Sequence, residues 1–159
     1  MSEKPDDALS RIESIADAHR DVPGGLLPAL HAVQDALGHV PQAAVPILAR
    51  ALNRSRAEVH GVITYYHHFR TAPPGRAVVQ ICSAEACLAC GAQALMDQAQ
   101  RRLGCVPGTT RADGAVTLEA VYCLGLCAAS PAVQVDQSMH ARVTPEQLDR
   151  LLADLEPVR

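Results

Sequence analysis

The sequence lacks tryptophan and has few aromatic side chains, with three tyrosines and one phenylalanine among 159 residues. It has no apolar run of about 18 residues or more, so we expect no membrane-spanning helix. Its first residues are polar and acidic with no apolar segment behind them, so we expect no secretory signal peptide. The net charge of −3 lacks the basic excess typical of nucleic-acid-binding proteins. These absences predict a cytoplasmic protein that neither inserts into a membrane nor binds nucleic acid.

The motifs of a complete active site are absent too. The sequence contains no Walker loop, no Rossmann glycine fingerprint and no evident nucleophile–base pair. Its hydrophobic residues, 48% of the total, indicate a globular chain that is long enough to fold without disulfides. The six cysteines are therefore the main chemical signal. In a reducing cytosol, so many cysteines are more often metal ligands or redox thiols than a disulfide framework.

Apolar residues recur at helical spacing through the first half of the chain. The predicted helices cover residues 6–20, 26–37, 43–52 and 55–64. Ser55 and Glu58 have the spacing of a capping box, which marks the start of the fourth helix. The Pro-Pro-Gly run at residues 73–75 ends the helical pattern, because such a run favours a turn. We therefore predict an N-terminal helical region, residues 1–72, and a second domain, residues 73–159.

The second half mixes strand and helix patterns. We predict strands at 77–82, 116–122 and 132–136, and helices at 88–103 and 145–155. Thr144 and Gln147 form a second capping box, with Pro145 at the first helical position. This order predicts an α+β chain, in which an N-terminal helical bundle is followed by an α/β domain compatible with a small thioredoxin-like sheet.

Four of the cysteines form two close pairs. Cys82 and Cys87 follow the first predicted strand, and Cys123 and Cys127 follow the second. Two thiolate pairs on loops that leave strands are what a four-thiolate metal or iron–sulfur site needs. The pattern favours these four residues as one ligand set, because the set uses both pairs symmetrically.

Three other interpretations of the cysteines remain open from the spacing alone. Cys82, Cys87 and Cys90, with the distant Cys123, have the spacing of a plant-type ferredoxin, which leaves Cys127 without a role. Cys87 and Cys90 alone form a C-x-x-C motif at the start of a predicted helix, as in thiol–disulfide oxidoreductases. A structural zinc site is the third alternative, although paired zinc ligands are usually closer in sequence.

The motifs Cys82-x4-Cys87 and Cys123-x3-Cys127-x3-Pro131 resemble those of the thioredoxin-like [2Fe-2S] ferredoxin family. This family includes the E subunit of respiratory NADH:quinone oxidoreductase. It also includes the gamma subunit of soluble NAD-dependent formate dehydrogenase and related parts of NAD-reducing hydrogenases. The resemblance covers nearly the whole chain, including the N-terminal helices.

The resemblance implies an electron-transfer subunit with one [2Fe-2S] cluster and these ligands: Cys82, Cys87, Cys123 and Cys127. Cys90 and Cys105 match no ligand position. The resemblance also implies a larger oxidoreductase complex, in which a partner subunit binds FMN and NAD(H). Segments 65–70 and 83–86 are closer to the formate dehydrogenase gamma subunit, so we expect that complex, with the other two as alternatives.

Three further features of the sequence lead to expectations. His67 and His68 lie in an aromatic-rich stretch, which indicates a docking surface or a pH-sensitive contact. Backbone amides near Gly125 are expected to donate hydrogen bonds to cluster sulfurs, which raises the reduction potential. Leucines beside the cysteines are expected either to shield the cluster from water or to pack in the core: Leu88, Leu124 and Leu126.

Overall fold

The computed structural model describes residues 5–155, which form two compact units. The boundary between the units lies between Pro73 and Pro74, within the Pro-Pro-Gly run. Each unit has its own cluster of buried apolar side chains. Each therefore contains the separate hydrophobic core that characterises a domain.

The first unit contains four helices among its described residues. They are α1 (Pro5–Ala18), α2 (Leu26–Leu37), α3 (Ala44–Ala51) and α4 (Arg56–Tyr65). Helix α1 packs against α2 and α3, and α3 packs against α4. Apolar side chains at helical spacing meet in the core, where the large buried residues include Ile12, Leu30, Leu48 and Val59. All four predicted helices are confirmed.

Polar side chains fix the start of α4 and the segment that follows it. The Ser55 hydroxyl accepts a hydrogen bond from the Glu58 amide at 3.1 Å, and the Glu58 carboxylate accepts one from the Ser55 amide at 2.8 Å, so the predicted capping box is present. Gln34, which is only 5% exposed, holds the segment after α4. Its side-chain amide donates to the His68 carbonyl at 2.9 Å, and its side-chain carbonyl accepts from the Arg70 amide at 2.7 Å.

The second unit is built on a five-stranded mixed sheet. Its strands are β1 (Ala77–Cys82), β2 (Thr109–Thr110), β3 (Val116–Val121), β4 (Val133–Val135) and β5 (Ser138–His140). Their order in the sheet is β2-β3-β1-β4-β5, and β1 is parallel to β3 while the other neighbours are antiparallel. Cys82 pairs with Val121, so β1 and β3 end side by side. The loops that follow these two strands therefore leave the same edge of the sheet.

Three α-helices complete this unit: α5 (Glu85–Ala89), α6 (Ala92–Leu103) and α7 (Pro145–Leu152). Helix α6 packs against β1, β3 and α7. The core between helices and sheet includes Val79, Ile81, Leu103, Leu118 and Leu148, all fully buried. The predicted capping box at the start of α7 is confirmed, because the Thr144 hydroxyl accepts from the Gln147 amide at 3.3 Å.

The single helix predicted for residues 88–103 is wrong. The chain forms two helices there, because Gly91 has a φ of +92° and interrupts the helical backbone between α5 and α6. A left-handed residue of this kind is tolerated where there is no Cβ atom. Cys90 consequently lies at the end of α5, exposed to solvent, rather than inside a long helix. Strands β2 and β5 were not predicted, because two or three residues are too few for an alternating pattern.

Candidate metal centre

The first cysteine loop begins where β1 and β3 end and β4 begins. Cys82 is the last residue of β1, and its amide donates to the Ala132 carbonyl at 3.1 Å beside β4. The next amide, that of Ser83, donates to the Val121 carbonyl of β3 at 2.7 Å. These bonds on both sides hold the end of β1 in place. The Cys82 side chain is buried as a result, with 1% of its surface exposed.

Cys87 lies on α5, one short loop beyond Cys82, and is also 1% exposed. Its Sγ atom lies 3.4 Å from the Ser130 hydroxyl oxygen. Burial acts to raise the pKa of the Cys87 thiol. Hydrogen bonds with Ser130 and Cys82, and from the backbone of Ala132, outweigh burial and hold this pKa below its ordinary value. Cys87 therefore ionises more readily than an ordinary cysteine, and the thiolate is the form that binds metal.

The second cysteine loop is irregular and exposed. Cys123 follows β3 and has a φ of +119°, a conformation that residues with a side chain rarely adopt. Gly125 has a φ of +79°, and its amide donates to the Cys123 sulfur at 3.3 Å. The Cys123 and Cys127 sulfur atoms are 3.5 Å apart. Tight turns in the backbone therefore bring two thiols together at the surface.

Ser130 joins the two cysteine loops. Its hydroxyl donates to the Cys127 carbonyl at 2.9 Å and also contacts the Cys87 sulfur at 3.4 Å. The following peptide bond, between Ser130 and Pro131, is cis. This hydroxyl was not predicted as part of the site. Its only signal was a serine three residues after Cys127, and serines are common at turns.

The four paired cysteines converge on one site. The hydrogen bond with Cys123 and the negative charge of its thiolate raise the pKa of Cys127, and the charges of Cys87 and Cys82 add to this effect. Cys82 in turn contacts Cys87. Four neighbouring thiolates repel one another. A bound metal ion or cluster relieves this repulsion because its positive charge neutralises them. The structure therefore brings together all four residues predicted as ligands.

The four thiols are arranged as two contacting pairs. Residues 5–155 contain no group of three or more His, Cys, Asp or Glu side chains placed around one metal ion. A [2Fe-2S] cluster with four cysteine ligands instead needs two thiolates for each iron. Cys123 and Cys127 are in contact with each other, and so are Cys82 and Cys87, so the four thiols suit such a cluster.

The surroundings of the cysteines are partly apolar. Leu124 and Leu126 are half-buried and pack against the buried cysteine cluster, whereas Leu88 is 40% exposed. The Ala129 amide, four residues after Gly125, donates to the Leu126 carbonyl at 2.8 Å rather than to a sulfur. Of the predicted shielding leucines, two thus lie against the cysteines and one faces solvent.

The other two cysteines lie outside the set of four. Cys90 is exposed at the end of α5, and its amide donates to the Cys87 carbonyl at 3.1 Å. Cys105 packs against the core of the second unit, and burial raises the pKa of its thiol. A half-buried thiol that resists ionisation in this way is suited to packing rather than to metal binding.

The aromatic-rich stretch of the first unit is divided between core and surface. Phe69 is buried and its ring centre lies 5.0 Å from that of His31, while the His31 and His68 ring centres are also 5.0 Å apart. Tyr65 is 75% exposed, and it lines a surface cavity of about 500 Å³ together with Tyr66.

In the described part of the chain, no helix is long and apolar enough to cross a membrane.

Four thiols that meet where two parallel strands end are a donor set that suits an iron–sulfur cluster. The chain belongs to the family described as thioredoxin-like [2Fe-2S] ferredoxin, whose model matches residues 12–156. The [2Fe-2S] cluster is the cofactor of this family, and the four thiols fit it. This match confirms the family that the cysteine motifs indicated.

Related proteins include several components of oxidoreductases. The NADH-quinone oxidoreductase E 2 subunit of Rhizobium meliloti (strain 1021) is 36% identical over 141 residues, which cover 89% of this chain and 84% of the relative. The NADH-quinone oxidoreductase E subunit of Escherichia coli (strain K12) is 33% identical over 141 residues, with 89% and 85% covered. The HndA subunit of the NADP-reducing hydrogenase of Solidesulfovibrio fructosivorans is 29% identical over 131 residues, with 82% and 77% covered.

A solved structure has the same fold. It is the crystal structure of an NAD+-reducing [NiFe]-hydrogenase in the air-oxidized state, with a TM-score of 0.69 and 25% sequence identity. The similarity covers 86% of this chain but only 23% of the much longer hydrogenase chain. Together with the family match, it confirms the predicted α+β class and its thioredoxin-like sheet.

Proposed function

We propose that this chain is the [2Fe-2S] electron-transfer subunit of an NAD-linked oxidoreductase complex in the cytoplasm. We assign four ligands to the cluster: Cys82, Cys87, Cys123 and Cys127. The observation that carries the proposal is the convergence of these thiols where β1 and β3 end, in a chain of this family. When bound, the cluster accepts and donates one electron at a time.

The residues of the chain have distinct tasks in this function. Cys82 and Cys87 would hold the cluster from buried positions, and Cys123 and Cys127 would hold it from exposed ones. The Gly125 amide donates to the Cys123 sulfur, and such a bond raises the reduction potential by stabilising negative charge. Leu124 and Leu126 limit the access of water to the sulfurs.

A partner subunit that binds FMN and NAD(H) completes the proposed complex. The exposed cysteine pair supports this arrangement, because electron transfer needs close approach of a second redox centre, and this is the accessible side of the site. The names of the relatives, which are those of oxidoreductase subunits, support membership of a complex. We further propose that the complex is a soluble formate dehydrogenase, on the resemblance of segments 65–70 and 83–86.

A subunit of respiratory NADH:quinone oxidoreductase or of an NAD-reducing hydrogenase is the second candidate. The relatives with those names favour it. A thiol–disulfide oxidoreductase that uses Cys87 and Cys90 is a weaker candidate, because Cys87 is buried in contact with Cys82 and Ser130. Catalysis of this kind would take Cys87 away from the four-thiol site.

Purification of the full chain without oxygen tests the cofactor. We expect a brown protein with about two irons and two sulfides per chain, and a colourless protein with zinc or without metal would contradict the proposal. Affinity purification from the native host then tests the complex. Molybdenum and formate-dependent NAD+ reduction in the purified material would support formate dehydrogenase. Hydrogen-dependent reduction, or membrane-bound subunits with NADH oxidation, would favour the second candidate.

A further inference from the structure

The exposed thiol of Cys90 lies one turn after a proposed ligand and has no part in the four-thiol site. Cys87 and Cys90 are the first and last residues of the sequence C-L-A-C. The Cys90 amide donates to the Cys87 carbonyl at 3.1 Å, so one turn of helical backbone joins the two residues. The two side chains differ in exposure: Cys87 is buried and Cys90 is exposed.

This turn brings the two cysteines within the range of a disulfide bond. A hydrogen bond between residues three apart keeps their Cα atoms within about 7 Å. In such a turn the first and fourth side chains lie on the same side of the backbone. Disulfides form at Cα separations of about 4.4–6.8 Å. Cys87 and Cys90 can therefore be joined by side-chain rotation and a small movement of α5, with the sheet unchanged.

We propose that Cys90 is a thiol-exchange site of the cluster-free chain, which accepts a disulfide from a small molecule and passes it to Cys87. The Cys90 thiolate attacks one sulfur of a low-molecular-weight disulfide, breaks its S–S bond and releases one thiol. Cys87 then attacks the Cys90 sulfur of this mixed disulfide and releases the second thiol. The two cysteines lose two electrons and two protons, and the small disulfide is reduced to two thiols.

The consequence is redox control of cluster loading. This inference rests on the proposed function, because it matters only where Cys87 is a cluster ligand. A sulfur held in a disulfide is not available as a thiolate ligand, so the oxidised chain cannot complete the four-thiol site. Reduction by a dithiol restores Cys87. Exposure makes Cys90 the entry point for the small disulfide, since Cys87 is only 1% exposed.

The product of oxidation provides the first test. The full chain is freed of iron with a chelator and a reductant under argon, the reductant is removed, and oxidised glutathione is added. We expect two of the six thiols to be lost and peptide mapping by mass spectrometry to join Cys87 to Cys90. A disulfide between Cys123 and Cys127 instead would overturn the proposal. Those sulfurs are exposed and 3.5 Å apart, so they are the competing site.

Cluster loading provides the second test, with iron and sulfide supplied to reduced and oxidised chains. We expect the oxidised chain to incorporate about tenfold less iron, with recovery after dithiothreitol. In Cys90→Ser, oxidised and reduced chains should load equally, while Cys105→Ser, the matched control, should behave like the unaltered chain. Equal loading of the unaltered chain in both states would overturn the proposal. If the reduced chain binds no cluster, the proposed function fails, and peptide mapping still decides whether Cys90 exchanges with Cys87.

Discussion

The two cysteine pairs are held by different means. Cys82 and Cys87 lie on regular elements, β1 and α5, and each is 1% exposed. Cys123 and Cys127 are exposed on an irregular loop, where Cys123 has a φ of +119°. The first pair is positioned by the hydrophobic core around it. The second is positioned by local turns and by the short contacts between its own atoms.

The difference shows how one site combines stability with access. A left-handed residue other than glycine costs about 1–2 kcal/mol, so the conformation of Cys123 is maintained by its surroundings. The Gly125 amide and the Ser130 hydroxyl are the parts of those surroundings that reach the cysteines. The core fixes one half of the site, and the loop presents the other half to solvent. Three predictions test this division, beginning with the largest effect.

Replacement of one cysteine in either pair should remove the cluster. Only replacement in the buried pair should also destabilise the cluster-free chain. Cys87→Ser places a hydroxyl in a buried, sulfur-lined site, where a poorly paired hydroxyl costs about 1–3 kcal/mol. Cys127→Ser is at an exposed position, where the change should stay within about 0.5 kcal/mol. Iron and sulfide content measures the first effect, and urea unfolding of the cluster-free chain measures the second.

Cys90→Ser is the control for these variants and should retain its two irons. Loss of the cluster in Cys90→Ser, with retention in Cys127→Ser, would show that the plant-type spacing supplies the ligands. Equal destabilisation by Cys87→Ser and Cys127→Ser would show that the exposed loop is as firmly packed as α5.

Gly125→Ala should lower both the free energy of unfolding and the reduction potential of the cluster. A Cβ atom at a φ of +79° costs about 1–2 kcal/mol. Relaxation of this strain weakens the hydrogen bond from the residue 125 amide to the Cys123 sulfur. Gly108→Ala is the matched control, because Gly108 has a φ of +82° in a turn outside the cysteine loops. It should lower the free energy of unfolding similarly and leave the potential unchanged. A potential that stays constant in Gly125→Ala would remove the role of this amide.

The smallest effect is expected at Asp113, in the turn before β3. A hydrogen bond from Arg111, at 2.8 Å, lowers the pKa of Asp113 to about 2, and the Ala115 amide adds to this effect. Because the pKa is lower in the folded chain, the stabilisation is complete above the ordinary value near 3.8 and is lost as the pH falls through about 2. Asp113→Asn should therefore slightly destabilise the cluster-free chain at neutral pH.

The measurement for Asp113→Asn is urea unfolding of the cluster-free chain at several pH values. The difference from the unaltered chain should shrink between about pH 4 and pH 2. Iron content at neutral pH should be normal, because the turn lies at the opposite end of β3 from Cys123. Reduced iron content would mean that strain at the start of β3 reaches the exposed pair, contrary to its local positioning.

Local sequence patterns predicted most of the regular structure. The capping boxes at Ser55 and Thr144 were readable because they depend on side chains three residues apart. The break between α5 and α6 was missed, since the C-L-A-C-G sequence carries no proline and the apolar pattern continues beyond it. The contact of Ser130 with Cys87 joins residues 43 positions apart, which no local pattern reveals.

The sequence by itself determined the chemistry of this protein: two cysteine pairs, each at a strand end, with the spacing of a known family. These features were readable because spacing and strand pattern are local properties of the chain. Only the tertiary structure decided that β1 and β3 end side by side, that one pair is buried and the other exposed, and that Ser130 links them. Strand order, burial and long-range hydrogen bonds depend on the packing of distant segments, and that packing is settled only when the whole core forms.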